Sequence, residues 1–207
     1  MTIEELLKDE DLKRCVDFHG HLCPGLAIGF VAAKDGLRRL EETRADDEEI
    51  VTMIGTDACC ADAVQVMMGS TFGKGNFIFK DHGKVVMTFI SRGSEQAFRY
   101  SLKPGVISLS EHHRDLLAKV MADAASEDEI TIFWRLHHHK SGDILKTAPD
   151  DLFHITQVAV PMPDTAEIHP SIPCARCGEP VMASRLVDYE GQRICIECHE
   201  KEATLTS

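Results

Sequence analysis

Two Cys-x-x-Cys pairs near the end of the sequence limit what its C-terminal part can fold into. Cys174 and Cys177 form the first pair, Cys195 and Cys198 form the second, and 17 residues separate the pairs. This spacing is typical of a tetrahedral zinc site with four thiolate ligands. The segment is too short to build a sizeable apolar core, so metal binding would contribute most of its folding free energy. We therefore predict a structural Zn²⁺ site.

The residues around these pairs predict how the zinc module folds. A hairpin is expected around Glu190 and Gly191, and a helix is expected to follow Cys195, so that this helix carries the second cysteine pair. These elements describe a treble-clef zinc finger over residues 174–207. His199 adjoins Cys198, but four cysteines already fill the tetrahedral shell, so we expect a structural zinc rather than a catalytic one.

Charge argues against nucleic acid as a partner. The formal net charge of the 207-residue chain is −12, which repels a phosphate backbone. Residues 164–207 carry four Lys or Arg against eight Asp or Glu, whereas a DNA-binding finger normally presents a basic surface. We therefore expect the finger to contact another protein.

Composition also bears on the cellular compartment. No apolar stretch approaches the roughly 20 residues that a membrane-spanning helix needs. The acidic, amphipathic start of the sequence lacks the basic-then-apolar order of a secretory signal. Eight cysteines in a chain without such a signal favour metal binding or redox chemistry over disulfides. We expect a cytoplasmic protein with no membrane association.

Residues 1–160 predict one mixed core domain. Helices are expected over residues 3–16, 24–40, 110–124 and 127–140. Strands are expected over residues 50–54, 76–79, 84–90, 96–102 and 153–160. Ser110 and Ser126 are placed as helix N-caps, and Asp81-His82-Gly83 predicts a hairpin between the second and third strands. The absence of a regular βαβ alternation favours an α+β fold of mixed helices and antiparallel strands. Four prolines in residues 161–173 predict an extended linker.

A second group of metal-binding residue types lies near the start of the core. His19, His21 and Cys23 alternate, and in an extended segment such residues point the same way. Cys23 precedes Pro24, so we place it at the N-cap of the next helix, where the helix dipole would lower the pKa of the thiol. Cys59 precedes another expected helix, and its partnership with the cluster depends on the fold. The four residues suit a transition-metal or thiolate site; the alternative is ordinary buried packing.

The remaining histidines and core cysteines are given structural roles. Cys15 and Cys60 are expected to be small buried apolar residues. His137, His138 and His139 are consecutive in a predicted helix and point in three directions, so they cannot all bind one metal ion. We expect them to form a solvated face, and His112 and His113 to do the same.

Four motifs, taken in order, resemble the FmdE family, which takes its name from a component of formylmethanofuran dehydrogenase. They are FHGHLCPGLAIG, DACCADAVQ, GSTFGKGNFIFKDHGKV, and CARCGEPV with ICIEC, and the resemblance covers residues 17–200. It implies a dimeric α+β core, followed in some members by a treble-clef finger, and a cleft lined by the His/Cys motif. Several residues fall on the family motifs: His19, His21, Cys23, Cys59, Asp62 and Gln65 on the first two, and Lys74, Asn76 and Lys84 on the next. Ser70 stands where family members often carry a cysteine, which changes any site that uses a thiol there.

The resemblance implies a function without fixing a reaction, because the sequence carries no pterin or iron–sulfur motif of its own. We expect a metal-binding accessory protein of a molybdenum- or tungsten-type oxidoreductase, with Zn²⁺ in the finger and a second transition metal in the core. It is expected to be a homodimer, with the Gly- and Ala-rich helix after Pro24 close to the partner copy or to the cleft. One alternative is a stand-alone enzyme that uses a metal or a thiolate at Cys23 or Cys59. The other is a zinc-finger transcriptional regulator, which the acidic finger disfavours.

Overall fold

The computed structural model describes residues 3–205 of the chain, and the side chains of residues 4–202. The chain divides into two compact units, Met1–Thr165 and Ala166–Ser207. The first unit combines helices with a largely antiparallel sheet, and the second contains the four C-terminal cysteines, so the predicted fold class is confirmed. No helix within residues 3–205 is both long enough and apolar enough to cross a membrane.

The first unit is built from helices packed on one five-stranded sheet. Its helices are α1 (Ile3–Leu6), α2 (Glu10–His19), α3 (Pro24–Leu40), α4 (Cys60–Met68), α5 (Glu111–Met121), α6 (Glu127–Lys146) and α7 (Pro149–Leu152). Its strands are β1 (Ile50–Ile54), β2 (Phe77–Phe79), β3 (Val86–Ser91), β4 (Ala97–Leu102) and β5 (Phe153–Gln157). The strand order is β2-β1-β3-β4-β5; β2 is parallel to β1, and the other neighbours are antiparallel.

The predicted hairpin between β2 and β3 is wrong, because β1 lies between these two strands. A crossover that contains α4 brings β2 alongside β1 in parallel, and β3 pairs with the other edge of β1. The connection from β2 to β3 passes the end of β1, where Lys80 N donates to Ile54 O at 2.8 Å and Gly55 N donates to Val86 O at 2.9 Å. The turn residues 81–83 therefore belong to a cross-connection over β1.

Helix α3 is buried on nearly all sides within the first unit. A Cβ atom at Gly29 would overlap the carbonyl oxygen of Cys60 at the start of α4. A Cβ atom at Gly36 would lie 2.5 Å from the ring of Phe89 on β3. The small residues of α3 thus let its backbone approach both α4 and the sheet. Much of the Gly- and Ala-rich stretch that was expected near a dimer partner is packed inside the protomer.

Helices α5 and α6 begin where their N-caps predicted. The Ser110 side chain accepts a hydrogen bond from His113 N, and Ser126 forms a capping box with Glu129. Helix α6 ends at Lys146 rather than at residue 140. It continues because its last turns still contribute buried residues, including Ile144.

The chain after β5 folds back over the face of the sheet that points away from α3. Val158, Val160 and Met162 pack against a small apolar cluster of Val51, Ile90 and Ala97. The guanidinium of Arg92 donates to Pro163 O at 2.7 Å. Within the segment 161–173, whose composition predicts a linker, Met162 therefore packs on the sheet and residues 171–173 form a strand.

The second unit consists of two small hairpins and a helix. Its elements are β6 (Ser171–Pro173), β7 (Pro180–Met182), β8 (Leu186–Tyr189), β9 (Gln192–Cys195) and α8 (Ile196–Leu205). Strands β6 and β7 pair with each other, as do β8 and β9, and both pairs are antiparallel. Glu190 and Gly191 have φ values of 49° and 77°, which a two-residue hairpin turn requires. The hairpin predicted at these residues is confirmed, and the helix follows Cys195 directly.

Candidate metal sites

The four cysteines of the second unit converge on one point. One sulfur from each of Cys174, Cys177, Cys195 and Cys198 lies within 4.8 Å of the others, and Cys177 Sγ is 4.0 Å from Cys195 Sγ. Tetrahedral zinc with zinc–sulfur bonds of about 2.3 Å sets its ligand sulfurs about 3.8 Å apart. The spacing of the sulfurs therefore fits a zinc ion.

Backbone N–H groups donate hydrogen bonds to two of the four sulfurs, those of Cys174 and Cys195. Cys174 Sγ accepts from Cys195 N at 3.2 Å and from Arg176 N at 3.4 Å, and Cys195 Sγ accepts from Cys198 N at 3.3 Å. Hydrogen bonding from the backbone, led by Cys177, lowers the pKa of the Cys174 thiol to about 6. Thiolate is the form that binds metal. His199 is not part of the four-sulfur group, and its ring lies against Tyr189.

A second cluster lies at the junction of α2 and α3. His19, His21 and Cys23 each place one ligand atom within 4.8 Å of the others. The extended segment that was expected to align them is absent, because His19 is the last residue of α2. Gly20 then adopts a left-handed conformation with φ of 96°, which glycine adopts without strain. This turn brings His21 and Cys23 back towards His19.

The imidazole of His19 is held between a carboxylate and a thiol. Its Nδ1 is 2.7 Å from Asp62 Oδ2 on α4, and its Nε2 is 3.8 Å from Cys23 Sγ. A proton on Nδ1, shared with Asp62, leaves the Nε2 lone pair directed towards the thiol. Zinc bonds of about 2.3 Å to sulfur and about 2.0 Å to nitrogen place such ligand atoms about 3.6 Å apart. The donor set and its spacing thus fit a zinc-class ion.

Cys23 occupies the N-cap of α3, as predicted, and its sulfur accepts from Leu26 N at 3.3 Å. The expectation of a lowered pKa is wrong, however. Burial, assisted by the nearby Cys59 thiol, raises the pKa of Cys23 to about 11, against the opposing hydrogen bond from Leu26. Only 4% of Cys23 is exposed, so desolvation of a thiolate outweighs the helix N-terminus. Without a metal ion this residue is a thiol, which removes much of the case for a reactive thiolate.

Cys59 lies beside Cys23, across the backbone of Gly25. A Cβ atom at Gly25 would lie 3.7 Å from Cys59 Sγ and 3.8 Å from Cys23 Sγ. Cys59 is the residue before α4 and makes no side-chain cap. It falls outside the group of three mutually close ligand atoms, so the structure gives it a neighbouring position rather than a place in the cluster.

The other residues that the family motifs pointed to are distributed widely. Gln65 Oε1 accepts from Phe72 N at 3.1 Å. Lys74 Nζ donates to Asp46 O and Asp47 O, at 3.1 and 2.8 Å. These contacts connect loops near the C-terminal end of α4, whereas Asp62 lies near its N-terminal end. This nine-residue helix is about 13 Å long.

Asn76 and Ser70 are buried structural residues. Asn76 Nδ2 donates to Ile50 O at 2.9 Å, and its Oδ1 accepts from Thr71 N at 2.9 Å. The Ser70 hydroxyl is 2.6 Å from that of Thr52. Ser70 therefore joins a local hydrogen bond at the sheet, and the structure does not bring it into the core cluster. Lys84 lies on the connection from β2 to β3, at another surface of the sheet.

The rings of Trp134 and His138 on α6 lie beside the core cluster, and the sequence analysis did not place them there. The ring of Trp134 meets that of His21 edge to face at 5.3 Å between centroids, and the His138 ring lies 5.7 Å from Trp134. Partial desolvation, with His19 and His138 nearby, lowers the pKa of His21, which favours the neutral, metal-binding imidazole. Trp134 is the single tryptophan of the sequence, which could have drawn attention to it.

The prediction that His113 and His137 lie on a solvated face is also wrong. His113 is 4% exposed, and its Nε2 is 2.8 Å from His137 Nδ1, which joins α5 to α6. Burial, followed by the neighbouring His113, lowers the pKa of His137 to about 4. Both imidazoles are therefore neutral at pH 7. Of the histidines predicted to be solvated, His112 and His139 are exposed.

Comparisons with known proteins cover both units. Residues 18–154 match the family described as "FmdE, Molybdenum formylmethanofuran dehydrogenase operon", and this range includes the core cluster. Residues 169–202 match "Prokaryotic dksA/traR C4-type zinc finger", and this range includes all four C-terminal cysteines. Together with the sulfur geometry, this match identifies the second unit as a zinc-binding finger.

Two individual proteins are also similar to this chain. A protein of Archaeoglobus fulgidus named "Probable S-adenosyl-L-methionine-binding protein" is 28% identical over 197 residues, which are 90% of this chain and 52% of that protein. The chain thus spans about half of the length of that relative. The crystal structure of a tungsten formylmethanofuran dehydrogenase FmdE-like protein from Syntrophus aciditrophicus superposes with a TM-score of 0.60 at 19% identity, over 93% of this chain and 92% of that one.

Proposed function

The chain belongs to the FmdE family, as its motifs predicted, and on that premise we propose that its core holds a divalent transition-metal ion through His19, His21 and Cys23. The observation that carries this proposal is the pairing of His19 Nδ1 with Asp62 at 2.7 Å. Metal-binding histidines in proteins typically share their second ring nitrogen with a carboxylate in this way.

Each residue of the proposed site has a separate task. Asp62 fixes the tautomer and the orientation of His19. Gly20 turns the chain so that His21 approaches from the solvent side, where it is exposed. The N-terminus of α3 holds the Cys23 sulfur, whose proton must leave when a metal ion binds. A zinc-class ion bound by three protein ligands keeps one coordination position for water or a substrate atom.

We further propose an accessory role in a molybdenum- or tungsten-type oxidoreductase system, with the protein acting as a homodimer. The description of the matching family supports this role. The second unit would act as a structural treble-clef finger that contacts the oxidoreductase, since a closed four-thiolate site offers no open position for chemistry. We expect a dimer mass in analytical ultracentrifugation at micromolar concentration, and a monomer would contradict that part of the proposal.

The central experiment is metal content of the full-length chain. Wild-type protein loaded with Zn²⁺ and then dialysed is expected to retain two ions per chain by elemental analysis. Cys23→Ser is expected to retain one, because the finger keeps its own ion, and the fold should persist because serine is a good N-cap. The matched control is Cys15→Ser, which removes a buried thiol outside the cluster and should lower the melting temperature without loss of metal. If Cys23→Ser behaves like this control, the cluster is packing and the proposal is wrong.

A stand-alone enzyme is the second candidate, and the exposure of His21 favours it, because it leaves the proposed metal position reachable from solvent. The two candidate functions differ in whether the open coordination position of the metal ion must exchange its ligand. With Co²⁺ in the core, azide or cyanide should shift the visible spectrum if that position exchanges its ligand freely, as an enzyme requires. A spectrum that does not respond to either anion would count against the enzyme.

A further inference from the structure

A cavity of about 210 Å³ lies on the face of the sheet that points away from α3. Its floor includes Met53 of β1, Thr88 of β3 and Arg99 of β4, which are register partners across three adjacent strands. Its rim includes Lys80, His82 and Lys84, all from the connection that passes the end of β1. The unusual strand order thus brings a basic loop over a row of the sheet. No part of the core cluster lines this cavity.

The charges around this cavity are unbalanced. No acidic side chain is among its lining residues. Within the part of the chain that the structure describes, the side chains of Lys80, Lys84 and Arg99 make no hydrogen bond or ion pair. Some other cations of the same unit are partnered: Lys103 donates to Asp150 O and Arg39 pairs with Asp35. In a chain of net charge −12, a cavity lined by three cations and no acidic side chain favours an anionic ligand.

The floor of the cavity adds a polar group without a partner. Thr88 is only 8% exposed, and its hydroxyl makes no hydrogen bond among the described residues. No buried side-chain oxygen or nitrogen among the described residues lacks a partner, so this hydroxyl reaches the solvent that fills the cavity. Since the side chain lines the cavity, its hydroxyl is available to donate a hydrogen bond to a ligand seated there.

We propose that this cavity binds a phosphate-type oxyanion, either free phosphate or the phosphoryl end of a small molecule. A phosphate group offers several strong acceptor oxygens, which suit the Arg99 guanidinium and the two ammonium groups. The Thr88 hydroxyl donates to the oxygen nearest the sheet. The cavity volume admits a tetrahedral anion and a few further atoms, and its apolar part, which includes Met53 and Val86, suits a small organic substituent. The proposal is independent of a metal ion in the core.

The test is calorimetric titration of the full-length protein with inorganic phosphate and, separately, with glycerol phosphate at constant ionic strength. Arg99→Gln and Thr88→Val are each expected to weaken binding about tenfold, because each removes a direct contact to the anion. Arg99→Lys should restore part of the affinity. The two ligands distinguish the sources: tighter binding of glycerol phosphate indicates a phosphorylated small molecule, and equal binding indicates free phosphate.

The matched control is Lys8→Gln, which removes one positive charge at an exposed position outside the cavity. It should leave both affinities within about twofold, since a distant charge is screened by salt. Melting temperatures verify that each variant is folded. The proposal is overturned if wild-type protein binds neither ligand at millimolar concentration, or if Lys8→Gln weakens binding as much as Arg99→Gln does.

Discussion

Nδ1 of His19 on α2 and Oδ2 of Asp62 on α4 lie 2.7 Å apart, although 43 positions separate the two residues in the chain. The pair joins two helices beside Cys23, and it leaves the other nitrogen of the imidazole facing the thiol. The orientation of His19 is therefore set by a different helix from its own. A change at Asp62 should act on the cluster without removing any of its three ligand atoms.

The first prediction concerns that carboxylate. Asp62→Ala should weaken binding of Co²⁺ or Zn²⁺ by the core about 10- to 100-fold, since the imidazole loses the partner that orients it. Competition with a chromogenic chelator, after the finger has been filled, measures the affinity. Asp57→Ala changes an exposed carboxylate five positions upstream and should leave the affinity within about twofold. Equal effects of the two changes would remove Asp62 from the site.

The second prediction concerns the finger. Cys174→Ser or Cys198→Ser should release one zinc ion per chain and make residues 166–207 sensitive to protease, because metal binding supplies most of the folding free energy of this small unit. His199→Ala should keep the zinc ion, since that ring packs on Tyr189 outside the four-sulfur group. Elemental analysis and limited proteolysis provide the readouts. Full zinc content in either cysteine variant would contradict the four-thiolate assignment.

The third prediction concerns the contact between α3 and α4. Gly29→Ala should lower the free energy of unfolding by about 1–3 kcal/mol or more, because the added methyl overlaps the carbonyl oxygen of Cys60 and forces the helices apart. Gly73→Ala is the matched control, since a Cβ atom there meets nothing within 4 Å. Urea unfolding curves measure both changes. A Gly29→Ala protein as stable as the control would mean that the helices separate at no cost.

The fourth prediction concerns pH. The pKa of His137 in the folded protein is about 4, below the ordinary histidine value of 6.5. The unfolded chain therefore binds the proton first as pH falls, so the stability contributed by neutral His137 is complete above about pH 6.5 and declines towards pH 4. His137→Phe should reduce the proton uptake on unfolding at pH 5 by up to one proton. His139→Phe, at an exposed position, should leave that uptake unchanged. Urea unfolding at several pH values gives the uptake, and equal slopes in both variants would refute the role of His137.

Features that depend on neighbouring residues could be predicted from the sequence. Cys23 before Pro24, Ser110 and Ser126 at helix starts, and Glu190-Gly191 between short strands all act within a few positions, and the structure has each of them in the expected role. The same holds for the two Cys-x-x-Cys pairs, whose spacing is itself the signal.

Features that depend on distant residues could not be predicted in this way. The Asp81-His82-Gly83 turn is locally suitable for a hairpin, and nothing near it indicates that β1 has already taken the edge where β3 would pair. The convergence of His19, His21 and Cys23 was predicted for the wrong reason, because the end of α2 was placed before His19. For Cys23, burial by the whole fold reverses the pKa shift that the helix N-terminus alone would give.

The histidines of α6 illustrate a signal that was present but not used. Phe133, His137 and Ser141 recur every four residues, which is the spacing of one helix face, and Ile144 continues that face. Three consecutive histidines point in three directions, so one of them could share the buried face while another stayed in solvent. His137 lies on that face and is partly buried, and His139 is exposed.

The central place of β1 in the sheet has a consequence for the order of assembly during synthesis. All three residues of the core cluster, with Asp62 and Cys59, are in the nascent chain once residue 62 has been added. Both neighbours of β1 come later, however, and β5 completes the sheet only at Gln157. Contacts over such long separations close slowly. The residues of the cluster are therefore all present in the chain well before the sheet, whose edge strand β5 is added only after about three quarters of the 207 residues.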